Sequence, residues 1–527
     1  MVAPPPFTTT PPDQTHTSED APTRRLLQHV RPEEWKNPDP APFYHLVVVG
    51  GGTAGLVAAT SAATLGFRVA LVERRRLGGD RLNAGCVPSK AVCRLAKAAA
   101  MRRQWPLRHP DADDLPDPAE VMRRVREIRA DLAENDSAHR LREQGVDVFF
   151  GDARFLSHAC LTTGDASLHF RRALLAVGAR PAKPAIPGLS EAEYLTNETL
   201  FELERLPASL AILGGGPMGC EMALAFARLG CEVSLLLRGN RLLPREDREV
   251  GDFLGAHLVR QGVRLLPFTE IRSSRLHRDG TTLSLQRPEG DETLHAEKIL
   301  AATGRVPDLS RMNLDTGLVA FDPAGGIRVD DHLRTSNEAV FAAGDCCLDT
   351  KYTAAAEASA HIALQNAFFP VKRRWSSVPV PRCTFTDPEI ATVGLTEEEA
   401  ARAGIAATVL RVPLAEVDRA LIEGEPEGFL KILLRSESDT ILGATLVSAH
   451  AGESIGIIAT AMAAGMGLRK LDSVPFPYPT QAGAIGRAAN LANRQRLTAG
   501  LRGLLSRWIG MRFGSEHTGR QEKKDRS

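Results

Sequence analysis

The chain has 527 residues, with 65 Lys and Arg against 64 Asp and Glu, and a formal net charge of +1. Its length predicts about three domains, and its near-neutral charge gives no support to general nucleic-acid binding. No run approaches the ~18 apolar residues that cross a bilayer, which argues against an integral membrane protein. The eight Cys lack the spacing of a disulfide scaffold, and the N-terminus lacks the basic-then-apolar order of a signal peptide. We therefore expect a reducing, cytoplasmic setting.

Residues 1–42 form a Pro/Thr-rich stretch that is poor in apolar residues and shows no periodicity. Such a composition does not bury enough apolar surface to fold on its own. We predict a disordered, mobile arm that orders only late, around Trp35.

A glycine loop follows directly after the first buried-strand pattern, His45–Val49. Its glycines have the spacing G-x-G-x-x-G, with Gly50, Gly52 and Gly55 at the three positions. The first permits a tight turn, the second lets the backbone approach a pyrophosphate, and the third allows close packing of a helix on a strand. The next strand ends in Glu73, about where a ribose-binding carboxylate is expected. The segment therefore predicts a dinucleotide site.

A second loop of the same pattern follows another buried strand, with Gly214, Gly216 and Gly219 at its three positions. The strand after it ends in Leu237, where an enzyme that prefers NAD usually has a carboxylate, and Arg238 comes next. A guanidinium without a carboxylate favours the 2′-phosphate of NADPH. NADH as the cofactor, and an arginine that is only solvated, stay as alternatives. Two such units predict two dinucleotide sites in one protein.

Further motifs occur between and after the loops. In their order along the chain they resemble those of the pyridine nucleotide-disulfide oxidoreductases, a family that includes glutathione reductase, dihydrolipoamide dehydrogenase and mercuric reductase. They are the redox-active segment at 78–90, two connecting motifs at 176–181 and 302–308, a second FAD motif ending at 341–345, and the start of a dimerisation domain at 385–396. Residues 418–420 and 478–482 look closest to mercuric-reductase-like members.

The resemblance implies an α/β fold with two Rossmann-like dinucleotide-binding domains and a C-terminal α+β dimerisation domain. It implies FAD in the first site, a nicotinamide cofactor in the second, and a homodimer formed through the third domain. The expected boundaries are 43–195 with 311–377 for FAD, 196–310 for NAD(P)H and 378–497 for dimerisation. The cofactor-binding residues that these motifs add are Gly78, Gly79, Gly178, Gly304, Gly344 and Asp345, whose carboxylate is expected to hold the ribityl chain.

The hydride-transfer part of the family's site is retained. In this family a Lys four residues after the second redox Cys lies beside flavin N5 and pairs with a Glu of the NADPH domain. Lys90 and Glu221 hold those positions here. The resemblance implies that the ammonium stabilises negative charge as the flavin takes a hydride, and that the Glu orients it.

The redox-active segment departs from the family at its first cysteine. The family has two Cys here, which form the disulfide that takes electrons from the flavin, whereas this chain has Arg81 and only Cys86. Cys93 cannot replace the missing thiol, because seven residues of helix span about 10 Å, beyond the ~7 Å Cα separation that a disulfide allows. Cys86 is expected at a helix N-terminus near Lys90, which favours a thiolate. It is either redox-active or a relic.

The dimerisation domain also departs from the family, which has an acid–base dyad of a His before Pro-Thr and a Glu three residues after the Thr. Tyr478 and Gly483 hold these positions, and mercuric-reductase relatives also carry Tyr near the first. Without the carboxylate, nothing orients a base. The vicinal pair Cys346-Cys347 follows the FAD motif directly and is interpreted as buried packing rather than as a metal site.

Residues 498–527 predict a basic amphipathic tail, with apolar positions such as Leu504 and Trp508 on one face of a helix and arginines nearby. Such a helix can contact a membrane surface. Packing against the protein's own dimerisation domain is the favoured alternative.

These features combine into one functional prediction. The protein is expected to be a homodimeric, FAD-dependent NAD(P)H oxidoreductase that passes electrons to a small acceptor, namely a quinone, dioxygen or a metal ion, without a redox-active disulfide. One alternative is a mercuric-reductase-like enzyme, or one that reduces disulfides or peroxides through Cys86 alone. The other is a non-catalytic, FAD-binding protein with redox-responsive interactions. The candidate catalytic residues are Cys86, Lys90, Glu221 and Tyr478.

Overall fold

The computed structural model describes residues 20–104, 117–190, 193–495 and 499–513. The chain divides into two compact units, one up to Asp387 and one from Pro388 onward. Both glycine loops belong to the first unit, and Tyr478 belongs to the second.

The part of the first unit before residue 182 contains the first glycine loop and most of a parallel sheet. The helices are α1 (Ala21–Val30), α2 (Thr53–Thr64), α3 (Gly79–Asn83), α4 (Cys86–Gln104), α5 (Pro118–Ala133) and α6 (Ala138–Glu143). The strands are β1 (Tyr44–Val49), β2 (Val69–Glu73), β3 (Val146–Phe150), β4 (Ala153–Ser157), β5 (Cys160–Thr163), β6 (Ala166–Leu175) and β7 (Arg180–Pro181). Strands β3, β2, β1 and β6 pair in parallel in that order, and β5 and β4 continue antiparallel. The apolar run of β1 is buried, as expected for a central parallel strand covered on both faces.

The part between residues 193 and 310 repeats the strand–glycine–helix unit. The helices are α7 (Asn197–Leu200), α8 (Pro217–Arg228) and α9 (Arg248–Arg260). The strands are β8 (Ser209–Leu213), β9 (Glu232–Leu236), β10 (Arg264–Leu266), β11 (Glu270–His277), β12 (Gly280–Arg287), β13 (Gly290–Ala296), β14 (Lys298–Ala301) and β15 (Arg305–Val306). Strands β10, β9, β8 and β14 form a parallel sheet, and β11 to β13 form an antiparallel one.

The chain then returns to the first sheet. The elements are β16 (Phe321–Asp322), β17 (Gly326–Ile327), β18 (Val340–Ala342), α10 (Thr353–Phe368) and β19 (Arg382–Thr384). Leu175 of β6 is in register with both Val49 of β1 and Ala342 of β18. The last residues of the second FAD motif, just after β18, therefore lie at the same sheet edge as the first glycine loop.

The second unit is an antiparallel sheet with helices. The helices are α11 (Glu397–Arg402), α12 (Asp418–Ile422), α13 (Ala451–Ala463), α14 (Gly483–Gln495) and α15 (Ala499–Phe513). The strands are β20 (Glu389–Gly394), β21 (Ala407–Pro413), β22 (Phe429–Arg435) and β23 (Ile441–Ser448), paired in the order β20, β23, β22, β21. Two Rossmann-like halves and an α+β unit confirm the predicted fold class.

The prediction of a disordered arm over residues 1–42 is wrong for the part that the structure describes. Helix α1 buries Leu26 and Val30, and the indole of Trp35 donates a hydrogen bond to Val148 O at 3.2 Å. The prediction used the average composition of the stretch and overlooked Leu26 and Val30, which are four positions apart and therefore lie on one face of a helix. Residues 1–19 lie outside the described residues.

The predicted tail forms a helix, α15, but the favoured packing against the second unit is not observed. Leu504, Trp508 and Phe513 are 63%, 48% and 71% exposed. Residues 514–527 lie outside the described part of the chain. Across the ranges that the structure covers, no helix combines the length and apolar character needed to span a bilayer.

Candidate functional site

The first glycine loop lies between β1 and α2, at the carboxyl ends of the parallel strands. Gly50 has φ +105°, and a Cβ there would lie 2.3 Å from Ala176 O, so only glycine fits. By contrast, a Cβ on Gly52 would meet only Gly79 Cα, at 3.7 Å. The N-terminus of α2 is therefore open at Gly52, where its N–H groups and positive dipole end face a phosphate. This cradle fits the pyrophosphate of a dinucleotide.

The second loop has the same geometry. Gly214 has φ +111°, and a Cβ on it would lie 2.6 Å from Ala302 O, whereas a Cβ on Gly216 would meet nothing within 4 Å. The third glycines, Gly55 and Gly219, pack so closely that a Cβ would lie 1.8 and 2.0 Å from the carbonyl oxygen of the first glycine of the loop. The second loop therefore also fits a pyrophosphate.

A carboxylate completes the first loop. Glu73 ends β2, and its oxygens accept hydrogen bonds from Gly51 N and Arg75 N, both at 2.6 Å. Burial raises the pKa of Glu73, against the opposing effects of these bonds and of the charges of Arg74 and Arg31. The structure thus fixes a carboxylate where the sequence predicts the ribose-binding group.

The second loop has an apolar residue at the corresponding position. A Cβ on Gly215 would lie 2.5 Å from Leu237 Cδ2, so the leucine side chain covers the loop there. Arg238 follows and is exposed, whereas Arg241 bonds to the backbone carbonyl of Glu246. The structure therefore leaves Arg238 at the open end of β9.

An ion pair joins the two halves of the first unit. Lys90, in the second turn of α4, places Nζ 2.7 and 3.0 Å from the carboxylate oxygens of Glu221 in α8. The Glu221 side chain is only 3% exposed. Burial by itself lowers the pKa of Lys90, but the charge of Glu221 opposes this and the pKa is raised. Lys90 is therefore a fixed, protonated cation.

Phe385 contacts this ion pair, which sequence reasoning missed. Phe385 N donates to Glu221 Oε1 at 2.9 Å, and Lys90 Nζ lies 4.7 Å from the centre of the Phe385 ring. A cation over an aromatic face is stabilised by the ring quadrupole. Phe385 was visible in the sequence, but only as the first residue of the predicted dimerisation motif, and nothing local in the sequence indicated that it contacts Lys90 and Glu221.

The same segment is bonded to both halves through Asp387. Its carboxylate accepts from Lys97 in α4 at 2.8 Å and from Arg228 in α8 at 2.7 Å. These bonds fix Asp387, the last residue of the first unit, to both halves.

Arg81, which replaces the first redox cysteine, is held by an ion pair. It donates to Asp136 Oδ2 at 2.5 Å. Burial raises the pKa of Asp136, while the charge of Arg81 opposes the rise. The neighbouring Asp80 pairs with Arg305. Charge pairs, rather than sulfur chemistry, therefore fix this turn.

The Cys86 thiol is half-buried at the first residue of α4. Its Sγ lies 3.1 Å from Thr353 Oγ1, at the start of α10. All eight cysteines are free thiols. Burial raises the pKa of Cys93, so this thiol stays protonated. The nearest polar neighbour that the structure gives the Cys86 thiol is thus a hydroxyl, and Arg81 holds the sequence position of the partner cysteine.

The remaining predicted cofactor residues surround the first loop or connect the halves. Asp345 follows β18, and burial raises its pKa against the charge of Arg305, whose Nε lies 3.5 Å away. A Cβ on Gly79 would lie 2.6 Å from Gly52 Cα, so the redox segment begins against the first loop. Five predicted glycines have positive φ, namely Gly78, Gly79, Gly178, Gly304 and Gly344.

Cys346 and Cys347 contact backbone carbonyl groups inside the protein, as expected for packing residues. Cys346 is fully buried, and its Sγ donates to Leu175 O at 3.3 Å. Cys347 donates to Gly344 O at 3.5 Å.

Tyr478 lies in the second unit, whereas Cys86, Lys90 and Glu221 lie in the first. Its side chain is 80% exposed, and its Oη donates to Asp418 Oδ2 at 2.7 Å. This bond raises the pKa of Tyr478. Gly483 begins α14, and a Cβ there would meet nothing within 4 Å.

Comparison with known proteins gives the same picture. Mercuric reductase from Staphylococcus aureus is 31% identical over 85% of this chain and 82% of its own. Mercuric reductase from Streptomyces lividans is 34% identical over 85% and 95%. The structure of the HOCl-induced flavoprotein disulfide reductase RclA from Escherichia coli is 27% identical, covers 85% of this chain and 100% of its own, and has a TM-score of 0.76.

Family models match both units. Residues 44–367 match the model described as pyridine nucleotide-disulphide oxidoreductase, and residues 380–489 match the dimerisation domain of that family. The dimerisation domain supports a homodimer, and the family's cofactors are FAD and NAD(P)H. The chain is thus a flavin-dependent oxidoreductase that belongs to the pyridine nucleotide-disulphide oxidoreductase family.

Proposed function

We propose that this protein oxidises NADPH and passes the electrons to a small acceptor without a redox-active disulfide. The observation that carries the proposal is the environment of Cys86, whose Sγ faces Thr353 Oγ1 at 3.1 Å while Arg81 holds the place of the partner cysteine and bonds to Asp136. The acceptor that we propose is a quinone, dioxygen or a metal ion.

FAD, when bound, takes a hydride from the nicotinamide and delivers electrons to the acceptor. The chain's own contribution is positional and electrostatic. The two open glycine loops would hold the pyrophosphates, and the carboxylates of Glu73 and Asp345 would hold the ribose and the ribityl chain of FAD. Lys90 supplies a fixed positive charge, and Glu221 and Phe385 hold its ammonium in one place.

NADPH is the proposed electron donor because Leu237, and not a carboxylate, ends the strand beside the second loop. A carboxylate there would repel the 2′-phosphate of NADPH and bind the 2′-hydroxyl of NADH. The exposed guanidinium of Arg238 is available to a phosphate.

A metal ion belongs to the acceptor class because of what the relatives act on or bind. The curated relatives include mercuric reductases, and a structure of RclA is described as a Cu(II) complex. This chain has only the single thiol of Cys86 in the redox segment, so we propose that it reduces the acceptor directly and not through a dithiol.

Anaerobic titration of the purified protein with NADPH, followed through the flavin absorbance bands, tests the proposal. We expect full bleaching at about one NADPH per flavin. Reoxidation by a quinone, a metal ion or air is expected to be rapid, whereas glutathione disulfide and lipoamide should not reoxidise it. Rapid NADPH-dependent turnover of either disulfide would contradict the proposal.

A second candidate function follows from the position of Cys86, a half-buried free thiol at the first residue of α4. In this alternative Cys86 alone reduces a disulfide or a peroxide. Cys86→Ser then abolishes turnover, whereas direct transfer to the acceptor survives the substitution. Cys383→Ser, which changes another half-buried thiol, is the matched control. A non-catalytic role has less support, because the relatives are enzymes and the Lys90–Glu221 pair is formed.

A further inference from the structure

We infer that residues 20–42, here called the N-terminal strap, hold the loop that carries the ribose-binding carboxylate and thereby slow the release of FAD. The strap precedes the matched family region, which begins at residue 44. It lies against the first dinucleotide half and contacts the loop after Glu73 and the neighbouring strand β3.

The first part of the strap is fixed by burial and charge. Helix α1 buries Leu26 and Val30 in the same hydrophobic cluster as the first strands. Its N-cap residue Asp20 accepts a hydrogen bond from Arg126 Nε at 2.6 Å. The strap is therefore anchored before it reaches the cofactor loop.

The middle of the strap bonds to the loop after Glu73. Val30 O accepts a hydrogen bond from Leu77 N at 3.0 Å. The guanidinium of Arg31 donates to Arg74 O and Arg75 O, both at 3.2 Å. Three backbone groups between Glu73 and Gly78 are thus held by two residues of the strap.

Arg31 also acts on the carboxylate itself. Its charge opposes the burial that raises the pKa of Glu73, and its guanidinium lies 4.4 Å from the centre of the Phe150 ring. An ionised carboxylate accepts stronger hydrogen bonds from ribose hydroxyls than a protonated one does. Arg31 is therefore a positioning residue that acts through Glu73.

The last part of the strap covers the edge strand β3. Trp35 Nε1 donates to Val148 O, and the Asn37 amide exchanges two hydrogen bonds with the backbone of Phe150, at 3.0 and 2.8 Å. Covering an exposed strand edge stabilises the fold whether or not FAD is bound. The experiment must therefore separate a loss of fold stability from a faster release of FAD.

The second glycine loop provides an internal reference. In both loops the middle glycine carbonyl accepts a backbone bond at 2.8 Å, Gly51 O from Gly78 N and Gly215 O from Leu243 N. In the second half the loop is held by Arg241, which bonds to Glu246 O, and by Arg382, which donates to Arg245 O and to the Glu246 carboxylate, so the strap takes no part in these bonds. A change in the strap should therefore affect FAD and leave NADPH unaffected.

The experiment compares Arg31→Ala with Arg25→Ala in the full-length holoprotein. Arg25 lies on α1, which ends just before Arg31, and it pairs with Asp131 at the surface, with side chains 49% and 54% exposed. After dilution, the rise in flavin fluorescence gives the rate of FAD release. We expect release from Arg31→Ala to be about fivefold faster or more, since one such interaction is worth of order 1 kcal/mol. Arg25→Ala should release FAD at the wild-type rate, and the KM for NADPH at saturating FAD should be unchanged in both.

An unchanged FAD release rate in Arg31→Ala would overturn the inference and leave the strap as edge cover only. So would an equal loss of FAD and NADPH affinity, because general loosening of the fold then explains both. If Arg31→Ala is not recovered folded, Arg31→Gln is measured in the same way, since it keeps one donor and removes the charge.

Discussion

The two glycine loops have nearly the same backbone and different surroundings. In both, the first glycine has a positive φ, the second leaves the helix N-terminus open, and the third packs on the carbonyl of the first. Beyond the loops the halves diverge, since Glu73 ends one strand and Leu237 follows the other. The backbone thus provides the same open helix N-terminus in both loops, and the residue at the strand end is what differs between them.

The two halves also contribute different residues to the candidate catalytic site. The first half contributes Lys90 and Cys86 from α4, and the second half contributes Glu221 from α8. The Lys90–Glu221 pair is thus shared between two domains that otherwise bind separate cofactors. The ion pair therefore links the two halves.

The largest expected effect comes from filling one loop at a time. Gly52→Ala and Gly216→Ala each place a methyl group where the protein has no closer contact than 3.7 Å, and both positions have negative φ. The fold should tolerate both changes, while the methyl group collides with a pyrophosphate. We expect Gly52→Ala to be purified nearly free of flavin, by absorbance at the flavin bands. Gly216→Ala should keep its flavin and lose NADPH affinity, and the reverse pattern would contradict the assignment of the two loops.

Removing the shared cation should have the next largest effect. Lys90→Met removes the charge held by Glu221, and we expect flavin reduction by NADPH to slow by about 10²–10³-fold in stopped-flow measurements. Lys97→Met is the matched control, because Lys97 lies two turns further along α4, has a 2.8 Å ion pair and is similarly exposed, 30% against 32%. Its rate should stay near that of the wild type. Equal slowing in both variants would indicate that the charge acts only on stability.

Much of this comparison could be predicted from the sequence, because glycine spacing and strand patterns are local. The loops and Glu73 follow from motifs that depend on a few neighbouring residues, whereas the Lys90–Glu221 pair, 131 residues apart, was implied only by the family resemblance. Asp136, the partner of Arg81, could not be predicted, since it lies 55 residues away and its position depends on packing. The same holds for Thr353 beside Cys86, 267 residues apart.

The errors occurred where composition was used in place of spacing. The arm over residues 20–42 is Pro-rich, yet Leu26 and Val30 dock a helix because their partners are supplied by distant parts of the chain. The tail helix was expected to pack against the dimerisation domain, but Leu504 and Trp508 are exposed, and amphipathic spacing alone does not supply a partner. Whether a segment is buried depends on the surface against which it packs as well as on its own sequence.

A smaller effect is expected from Arg238, which follows Leu237 at the end of β9, where the first half has Glu73. Arg238→Ala should raise the KM for NADPH about tenfold, the loss of about 1.4 kcal/mol of binding, and leave the KM for NADH unchanged. Arg264→Ala, which removes another exposed arginine of the same half, should change neither value. A similar loss with both nucleotides would show that Arg238 does not contact the 2′-phosphate.

The smallest effect on turnover is expected from Asp387, which is bonded to both halves. Burial raises its pKa, but the bonds and charges of Lys97 and Arg228 outweigh this and lower the pKa below the ordinary value of 3.8. A lowered folded-state pKa contributes stability above 3.8, and this stability is lost as the pH falls through the folded-state value. Asp387→Asn should therefore lower the free energy of unfolding by about 1–3 kcal/mol at pH 7, measured by urea denaturation. The difference from the wild type should shrink as the pH falls below about 4.

The exposed Asp252→Asn is the control and should show no difference in the free energy of unfolding at either pH. If the deficit of Asp387→Asn persists at low pH, the charge of the carboxylate is not what connects the two halves.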